Sequence, residues 1–111
     1  MKVNIRINEI IKNKKALTAD GATGTNFFKM GLDSGYPPEM WNIEKPKNVA
    51  SNHRDFIIAG SDIILTNSFG ANKYRLSLHN MEARVYELNY EAARIAKKVT
   101  KDFPRDIIVA G

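Results

Sequence analysis

The chain contains 111 residues, 43% hydrophobic and 26% charged, which is the composition of an ordinary globular domain or of part of one. It has no apolar run close to the roughly 20 residues of a membrane span, and residues 1–6 lack the apolar segment of a secretory signal. It also has no cysteine, which excludes disulfides and thiolate metal sites within this stretch. We therefore expect a cytoplasmic protein that has no membrane partner.

The net charge of +5 and the isoelectric point of about 9.6 raise the question of a nucleic-acid partner. The lysines are spread along the chain, with one short cluster at Lys12, Lys14 and Lys15. No aromatic residue lies within this cluster to stack on bases. This pattern is typical of a solvated surface, and we expect no nucleic-acid partner.

Hydrophobic periodicity and turn residues divide the chain into alternating helices and strands. The clearest helix signal is an apolar stripe whose members recur at intervals of three and four residues, namely Val85, Leu88, Ala92, Ile95 and Val99. In chain order, the predicted elements are a helix over 4–14, a strand over 16–19, a helix over 25–30, an irregular loop over 32–42, a helix over 46–60, a strand over 62–66, a helical turn over 73–78, a helix over 81–103 and a strand over 107–110.

The predicted strands begin about every 45 residues and are separated by helices. Their apolar residues do not alternate with polar ones, which is typical of parallel strands buried on both faces. Right-handed crossovers place the three strands side by side in one sheet. The predicted fold class is therefore α/β, and the open edges of such a sheet allow association into a homo-oligomer.

The first functional signal is the segment DGATGT over 20–25, directly after the first predicted strand. Gly21 and Gly24 tolerate positive φ and allow a ligand to approach the main chain closely. Asp20 stands at the carboxyl end of the strand, where ligands bind in parallel α/β folds, with its carboxylate free to point out of the sheet. The alternative is a tight turn in which Asp20 caps the next helix.

A second polar strand end follows the second predicted strand, where the sequence reads TNSFG from 66 to 70. The carboxyl ends of parallel strands meet at one edge of a sheet, so we expect this segment to lie close to the segment over 20–25. The alternative is that the polar side chains over 66–68 cap the following helix.

Together, DGATGT at 20–25 and AGSDIILTNSF at 59–69 resemble the start of the homocysteine S-methyltransferase family. This family includes betaine–homocysteine methyltransferases, to which the chain is most similar, and the homocysteine-binding module of cobalamin-dependent methionine synthase. The resemblance extends from about residue 16 to residue 111. It implies a (β/α)8 TIM barrel, of which residues 1–111 form a truncated N-terminal part with about three βα units, since a complete barrel needs roughly 250 residues.

The resemblance also implies the reaction, which is transfer of a methyl group from betaine to the homocysteine thiol to give methionine. In the family, a zinc ion held by three cysteine thiolates ionises this thiol, because the thiolate is the nucleophile. Those cysteines lie in later strands, so zinc is expected for the complete family member and no metal ligand is expected in this chain. His53 and His79 stand alone and do not replace the cysteines. The 111 residues by themselves are therefore expected to be inactive.

The resemblance places the amino-acid end of homocysteine against this chain. Asp20 pairs with the substrate ammonium, which is costly to leave unpaired in a closed pocket. Backbone groups after the first strand line the same pocket, and polar side chains after the second strand suit the substrate carboxylate. The implied substrate-binding residues are Asp20, Gly21, Ala22, Thr23, Thr66, Asn67 and Ser68.

The methyl-donor pocket is expected to be aromatic, because aromatic faces bind quaternary ammonium ions. The segment YPPE at 36–39 resembles the betaine branch of the family, while Gly70 stands where animal betaine enzymes carry an aromatic residue. The alternative is that these aromatics only pack their loop onto the barrel. The expected donor-pocket residues are Tyr36, Trp41 and Phe69.

Two classes of function remain open at this point. The first is part of a homocysteine methyltransferase, either of the betaine type or the homocysteine module of a cobalamin-dependent methionine synthase. The second is a small non-catalytic α/β module that binds an amino acid or a partner chain. Continuation of the coding sequence into further βα units, with a late Gly-Gly-Cys-Cys-like segment, would favour the first class.

Overall fold

Helices and short parallel strands alternate in the computed structural model, which describes residues 2–14 and 16–111. Short 3₁₀ turns precede two of the helices. The elements are the helices α1 (Lys2–Asn13), α2 (Thr23–Lys29), α3 (Trp41–Glu44), α4 (Pro46–Ala59), α5 (Lys73–Ser77) and α6 (Val85–Thr100), the strands β1 (Ile63–Leu65) and β2 (Ile108–Ala110), and the 3₁₀ turns Pro38–Met40 and Glu82–Arg84.

The sheet is built around β1. β2 pairs with β1 in parallel, with Ile63 opposite Ile108 and Leu65 opposite Ala110. On the other side of β1, Ala19 forms a parallel bridge to Ile63. The three predicted strand regions therefore run parallel in the order first, second, third, and the α/β class is confirmed.

The first predicted strand, over 16–19, is reduced to that single bridge. Its backbone does bond to the start of β1, since the amide groups of Asp62 and Ile63 donate to the Thr18 carbonyl oxygen over 2.7 and 3.1 Å. The Thr18 amide, however, donates to the Asp62 side chain over 2.9 Å instead of to a strand backbone. The Asp62 carboxylate thus accepts the amide proton that a strand carbonyl oxygen would accept in a regular sheet. Strand pairing therefore begins only at Ala19.

Helices cover one face of β1. Ile64 is fully buried on that face, whereas Leu65, which points the other way, keeps 47% of its surface exposed. Burial on both faces was predicted, but within the described residues it holds only for the helix side. α4 and α6 pack against each other and against the strands. The core between these elements consists of Ile57, Ile64, Ala96, Val99 and Ile107.

The predicted irregular loop over 32–42 is irregular only in its first half. Pro38 opens a 3₁₀ turn that leads directly into α3, because proline fits the first helical turn, where no amide donor is needed. Met40 and Trp41 are buried in this segment. The Trp41 ring packs on Phe27 at a centroid distance of 5.1 Å. Burial of these side chains converts the second half of the loop into part of the core.

The predicted helix over 81–103 is shorter than expected at both ends. It starts as the 3₁₀ turn Glu82–Arg84 and becomes regular at Val85. After Thr100, the amides of three successive residues bond to carbonyl oxygens three positions back. The apolar stripe therefore predicts the helix correctly, while its last turn tightens before Pro104.

A group of charged residues ties together the amino ends of the strands. Asp62 is buried, accepts a hydrogen bond from Lys14, and lies 3.8 Å from the Arg105 guanidinium. The Lys14 and Thr18 hydrogen bonds hold the pKa of the Asp62 carboxyl below its ordinary value. Arg105 also donates to the carbonyl oxygens of Ile57 and Ser61, over 2.6 and 2.8 Å. Arg105 thus connects the end of α4 to the start of β2.

His53 lies within the apolar face of α4, between Val49 and Ile57. Its ring is buried, and neither ring nitrogen has a hydrogen-bond partner among the described residues. Burial without a partner disfavours the imidazolium ion and lowers the pKa of His53 to about 4. His53 is therefore a neutral core residue.

We predict that this chain loses stability in the pH range where an ordinary histidine takes up a proton. The pKa of His53 is lower in the folded than in the unfolded state, so its neutral form is fully stabilising above about pH 6.5. Stability should fall as the pH drops from there to about 4, by roughly 3 kcal/mol. Urea unfolding at pH 7.5 and pH 5 measures the first part of this loss, about 2 kcal/mol.

The variant His53→Leu should show a much smaller pH difference, whereas His79→Gln, at an exposed position, should behave like the parent chain. An unchanged pH difference in His53→Leu would contradict this account.

Candidate functional site

The carboxyl ends of the paired segments form one edge of the sheet, here called the rim. Asp20 follows Ala19, Thr66 follows β1 and Gly111 follows β2. The Thr66 amide donates to the Ala110 carbonyl oxygen over 2.8 Å, which holds the last two segments together. The expected approach of the polar segments 20–25 and 66–70 is confirmed at this rim.

Asp20 is fixed at the junction of two strand ends. Its amide donates to the Ile63 carbonyl oxygen over 3.1 Å, and its carboxylate accepts the Leu65 amide proton at 3.1 Å to Oδ1 and 3.3 Å to Oδ2. The sequence predicted a free carboxylate, but this carboxylate is anchored to β1. Both oxygens share one donor, so each keeps a lone pair for a ligand.

The protonation of Asp20 also depends on this position. Partial burial raises the pKa of the Asp20 carboxyl above its ordinary value, while the hydrogen bonds from backbone amides act in the opposite direction. Asp20 does not cap α2, whose N-cap is Ala22 without a side-chain bond. The helix-cap alternative for Asp20 is therefore excluded.

The turn over 21–24 has a different geometry from the predicted one. Ala22, with φ of 52°, adopts the left-handed conformation, and neither Gly21 nor Gly24 does. A Cβ atom added to either glycine would meet nothing within 4 Å. Positive φ is thus not the reason for these glycines, and the space above them is open.

Asn67 is engaged within the protein. Its side-chain amide nitrogen donates to the Pro38 carbonyl oxygen and to Asn42 Oδ1, each over 2.9 Å. Asn42 in turn donates to the carbonyl oxygens of Asn67 and Leu88, over 2.9 and 3.1 Å. Both donor protons of Asn67 are used, so its NH₂ group is not available to a substrate carboxylate, contrary to the expectation.

The hydroxyl groups that flank Asn67 lie on the rim. Thr66 Oγ1 and Ser68 Oγ are 2.6 Å apart and share one hydrogen bond. The pair therefore keeps one hydroxyl proton for another acceptor. Gly111 lies beside Thr66, where an added Cβ would be 3.3 Å from Oγ1.

A cleft of about 520 Å³ opens between the loops that follow the strands. Of the predicted residues, Thr23, Asn67, Tyr36 and Phe69 line it, while Asp20, Thr66 and Ser68 do not. Trp41 does not line it either, because its ring is part of the core. The cleft is lined by Thr23, Gly24, Gly35, Tyr36, Pro37, Pro38, Glu39, Asn67, Phe69, Gly70, Arg75, Leu76, Leu78 and His79.

The aromatic residues of the cleft differ in how they are held. The Tyr36 hydroxyl donates to Glu44 Oε1 over 2.6 Å, and this bond raises the pKa of the tyrosine. Phe69 is 87% exposed, and the Arg75 guanidinium carbon lies 5.5 Å from its ring centroid. One face of Phe69 therefore already contacts a cation.

Glu39 explains why position 70 is a glycine. The Glu39 side chain is buried, and its Oε1 accepts the Gly70 amide proton over 2.7 Å. A Cβ added to Gly70 would lie 2.8 Å from the same oxygen. A side chain at position 70 would therefore have to displace the Glu39 carboxylate and break this hydrogen bond.

The sequence of this chain matches a family model described as homocysteine S-methyltransferase over residues 17–111. The chain belongs to that family. It is 27% identical over 101 residues to methionine synthase of Mycobacterium tuberculosis (strain ATCC 25618 / H37Rv), an alignment that covers 83% of this chain and 8% of that protein.

The fold is similar to that of the homocysteine methyltransferase MmuM from Escherichia coli. The metallated form matches with a TM-score of 0.81 at 21% identity, over 93% of this chain and 39% of that one. The oxidised form matches with a TM-score of 0.76 at 22% identity, over 91% and 38%. This chain therefore spans well under half the length of the relatives it matches.

The zinc that the family resemblance implies does not fit the residues present. The chain has no cysteine, and nowhere in the described ranges do three residues of the His, Cys, Asp or Glu types come together as a metal site. His53 is buried in α4 and His79 is exposed in a turn.

Within residues 2–14 and 16–111, no helix combines the length and apolarity that a bilayer crossing needs.

Sequence reasoning quoted Glu39 only as part of the YPPE segment and did not single out Asn42. Glu39 follows a proline at the start of a helical turn, where acidic residues are ordinary. Asn42 lies between Trp41 and Ile43, and a polar residue within an apolar segment was the only available signal. Their partners are 31 and 25 residues away in the sequence.

We predict that Gly70→Ala destabilises the chain by about 1–3 kcal/mol, the range for overpacking at a buried site. Relief by movement of the Glu39 carboxylate would break its 2.7 Å hydrogen bond to residue 70. Gly21→Ala is the matched control, because the space at Gly21 is open and its φ is not positive. Urea unfolding of both variants measures the effect. Equal stability of the two variants would refute the steric explanation.

Proposed function

We propose that this chain forms the amino-acid-binding part of a homocysteine S-methyltransferase, as the N-terminal part of a (β/α)8 barrel. The observation that carries this proposal is the position of Asp20. Its carboxylate is held at the junction of two parallel strand ends by the Leu65 amide, at 3.1 and 3.3 Å, and keeps unused lone pairs. Such a group, at the ligand-binding end of a parallel sheet, suits a substrate ammonium.

The proposed substrate pose uses the rest of the rim. The homocysteine ammonium pairs with Asp20 above the open turn at Gly21, Ala22 and Thr23. The free proton of the Thr66 and Ser68 hydroxyl pair binds the substrate carboxylate. Asn67 acts indirectly, by fixing the loop through Pro38 and Asn42.

In the proposed reaction the homocysteine sulfur forms a bond to a methyl carbon of betaine. The bond from that carbon to nitrogen breaks, and its electron pair stays on the nitrogen of the dimethylglycine product. The thiol loses its proton before this step, because the thiolate is the nucleophile. We propose that the complete enzyme contains zinc, with ligands outside these 111 residues.

The proposed betaine contacts are the aromatic faces of the cleft. Tyr36 and Phe69 both line it, and the Phe69 ring already has a guanidinium 5.5 Å from its centroid. Trp41 contributes indirectly, because the core cluster in which it packs on Phe27 lies against Tyr36. We further propose that the protein acts in the cytoplasm and that it forms a homo-oligomer.

A second candidate is the homocysteine module of a cobalamin-dependent methionine synthase. The 27% identity to a methionine synthase favours it. The homocysteine contacts would be the same, and only the methyl donor would differ. Saturable binding of betaine supports the first candidate, and binding of methylcobalamin alone supports the second. A chain that binds neither of these donors nor homocysteine is a non-catalytic module.

We predict that Asp20→Asn weakens homocysteine binding about tenfold or more, the usual loss when a charged hydrogen-bond partner is neutralised. Asparagine can still accept the Leu65 amide proton, so the fold should be retained. Titration calorimetry with homocysteine measures the effect. The matched control ligand is 4-mercaptobutyrate, which lacks the ammonium group.

The affinity for 4-mercaptobutyrate should be the same in both proteins. If homocysteine binds the parent chain and Asp20→Asn equally well, Asp20 is not the ammonium partner.

We predict that Tyr36→Ala and Phe69→Ala each weaken betaine binding about fivefold, in line with a partly exposed cation–π contact. Homocysteine binding should be unaffected. Tyr74→Ala is the matched control, because Tyr74 is equally exposed at 84% but does not line the cleft. Nuclear magnetic resonance titration measures these affinities. A betaine affinity that is the same in all three variants would assign the donor to another site.

A further inference from the structure

The outer face of α6 carries a row of exposed side chains that take no part in the core. The row begins in the 3₁₀ turn before the helix and continues at every fourth position, so its members lie one above the other along the helix. The buried stripe of α6 lies on the other side. The exposed row, here called the α6 ridge, consists of Glu82, Tyr86, Tyr90, Arg94 and Lys98.

Two tyrosines lie next to each other in the α6 ridge. Tyr86 and Tyr90 are 79% and 56% exposed, and their rings stack with centroids 6.1 Å apart and an angle of 20° between the planes. A single exposed aromatic residue is ordinary, whereas a stacked pair presents one continuous apolar surface to water. Tyrosine is enriched at protein–protein interfaces, because it adds a large, rigid contact area at a small cost in entropy. The pair is therefore suited to anchor an interface.

Charges of opposite sign lie at the two ends of the α6 ridge. Glu82 is at the amino end and Lys98 at the carboxyl end, and neither takes part in an ion pair of the described residues. Arg94 has a partner, since Glu91 Oε2 lies 2.8 Å from its Nε and 2.7 Å from a terminal nitrogen. Glu91 thus holds the edge of the guanidinium and leaves its planar face open to an aromatic ring.

The order of these residues is self-complementary about Tyr90. When a second ridge runs in the opposite direction, residues at equal spacing from the centre face each other. Tyr90 then faces Tyr90 of the second copy, and Tyr86 faces its Arg94. Glu82 faces Lys98 of the second copy, about 12 Å along the helix from the centre, where long side chains of nearly antiparallel helices still meet. A two-fold axis repeats the cation–π contact and the ion pair on both sides of Tyr90.

We propose that the α6 ridge is the contact surface of a two-fold homodimer, in which the α6 helices of two copies pack antiparallel across Tyr90. This inference rests on the homo-oligomer proposed above, whose surface it defines, and it does not depend on methyl transfer. The order of charges also suits the dipole of a single helix, with acidic residues first and basic residues last. The dipole accounts for the charges but not for the exposed tyrosine pair between them.

The interface is small. Two tyrosines on each copy bury roughly 300–500 Å², which is less than the area of about 800 Å² that each partner contributes to a standard interface. We therefore expect a weak dimer, with a dissociation constant on the order of 100 µM.

Sedimentation equilibrium of the 111-residue chain, from about 10 µM to about 1 mM, measures this dissociation constant. Tyr90→Lys places two ammonium groups together at the two-fold axis and should weaken the dimer about tenfold or more. Tyr74→Lys is the matched control, because Tyr74 is 84% exposed on α5 and lies outside the α6 ridge. It should dimerise like the parent chain. Equal dissociation constants for the two variants would overturn the proposal.

Reversal of the end charges tests the antiparallel pairing itself. Glu82→Lys and Lys98→Glu should each weaken the dimer by about threefold or more, because each places two pairs of like charges across the two-fold axis. An equimolar mixture of the two variants should form a mixed dimer with the affinity of the parent chain, since every facing pair is again opposite in charge. A mixture that associates no better than either variant alone would exclude this arrangement.

The outcomes separate this interface from the proposals on which it builds. Association that none of these variants changes would overturn the ridge interface and leave the homo-oligomer standing. A parent chain that remains monomeric at about 1 mM would overturn both. Neither result bears on homocysteine binding, because Asp20 lies on the rim and bonds to β1, not to α6.

Discussion

The structure depends on one constraint, the position of β1 between two parallel neighbours. Ala19 pairs with it on one side and β2 on the other, while Ile64 inserts into the helix layer with no exposed surface. This strand has only three regular residues, so its burial and pairing fix the register of everything around it. A slip of one residue would bring Leu65 to the helix side and move Ile64 into solvent.

Two aspartates mark the opposite ends of this strand and serve different purposes. Asp62, at the amino end, is buried and ionised among Lys14, Arg105 and the Thr18 amide, so its oxygens are engaged by the protein itself. Asp20, at the carboxyl end, bonds to one amide and keeps capacity for a ligand. Ligands bind at the carboxyl end of a parallel sheet in this kind of fold, whereas charges at the amino end are satisfied internally and contribute to stability.

Much of the fold could be predicted because its signals are local. The apolar stripe of α6, Pro46 at the start of α4 and Gly60 after its end identify these helices from neighbouring residues alone. The rim was also predictable, because parallel strands bring their ends together whatever their exact length. The length of the first strand was not predictable, because the side chain of Asp62 replaces a backbone partner of Thr18 there.

The details of the site depend on contacts that one sequence does not reveal. Asn67 is suited to bind a carboxylate, but Asn42 Oδ1 and the Pro38 carbonyl oxygen accept its two amide protons. Trp41 is as suitable as Tyr36 for a cation until Phe27 buries it. In each case the sequence identified the residue but not its partner. Its partner was decided by tertiary packing between α2, α3 and the loop after β1.

The hydrogen bonds of Arg105 have a consequence for the order of folding. Arg105 donates to carbonyl oxygens at and just after the end of α4, and it lies 48 residues after Ile57 and 44 residues after Ser61. During synthesis, α4 and β1 emerge first, but the carbonyl oxygens of Ile57 and Ser61 receive this donor only when Arg105 has followed. Contacts of such sequence separation slow folding, because a long loop must close before they form. Completion of the β1 layer therefore depends on contacts from the segment that leads into β2.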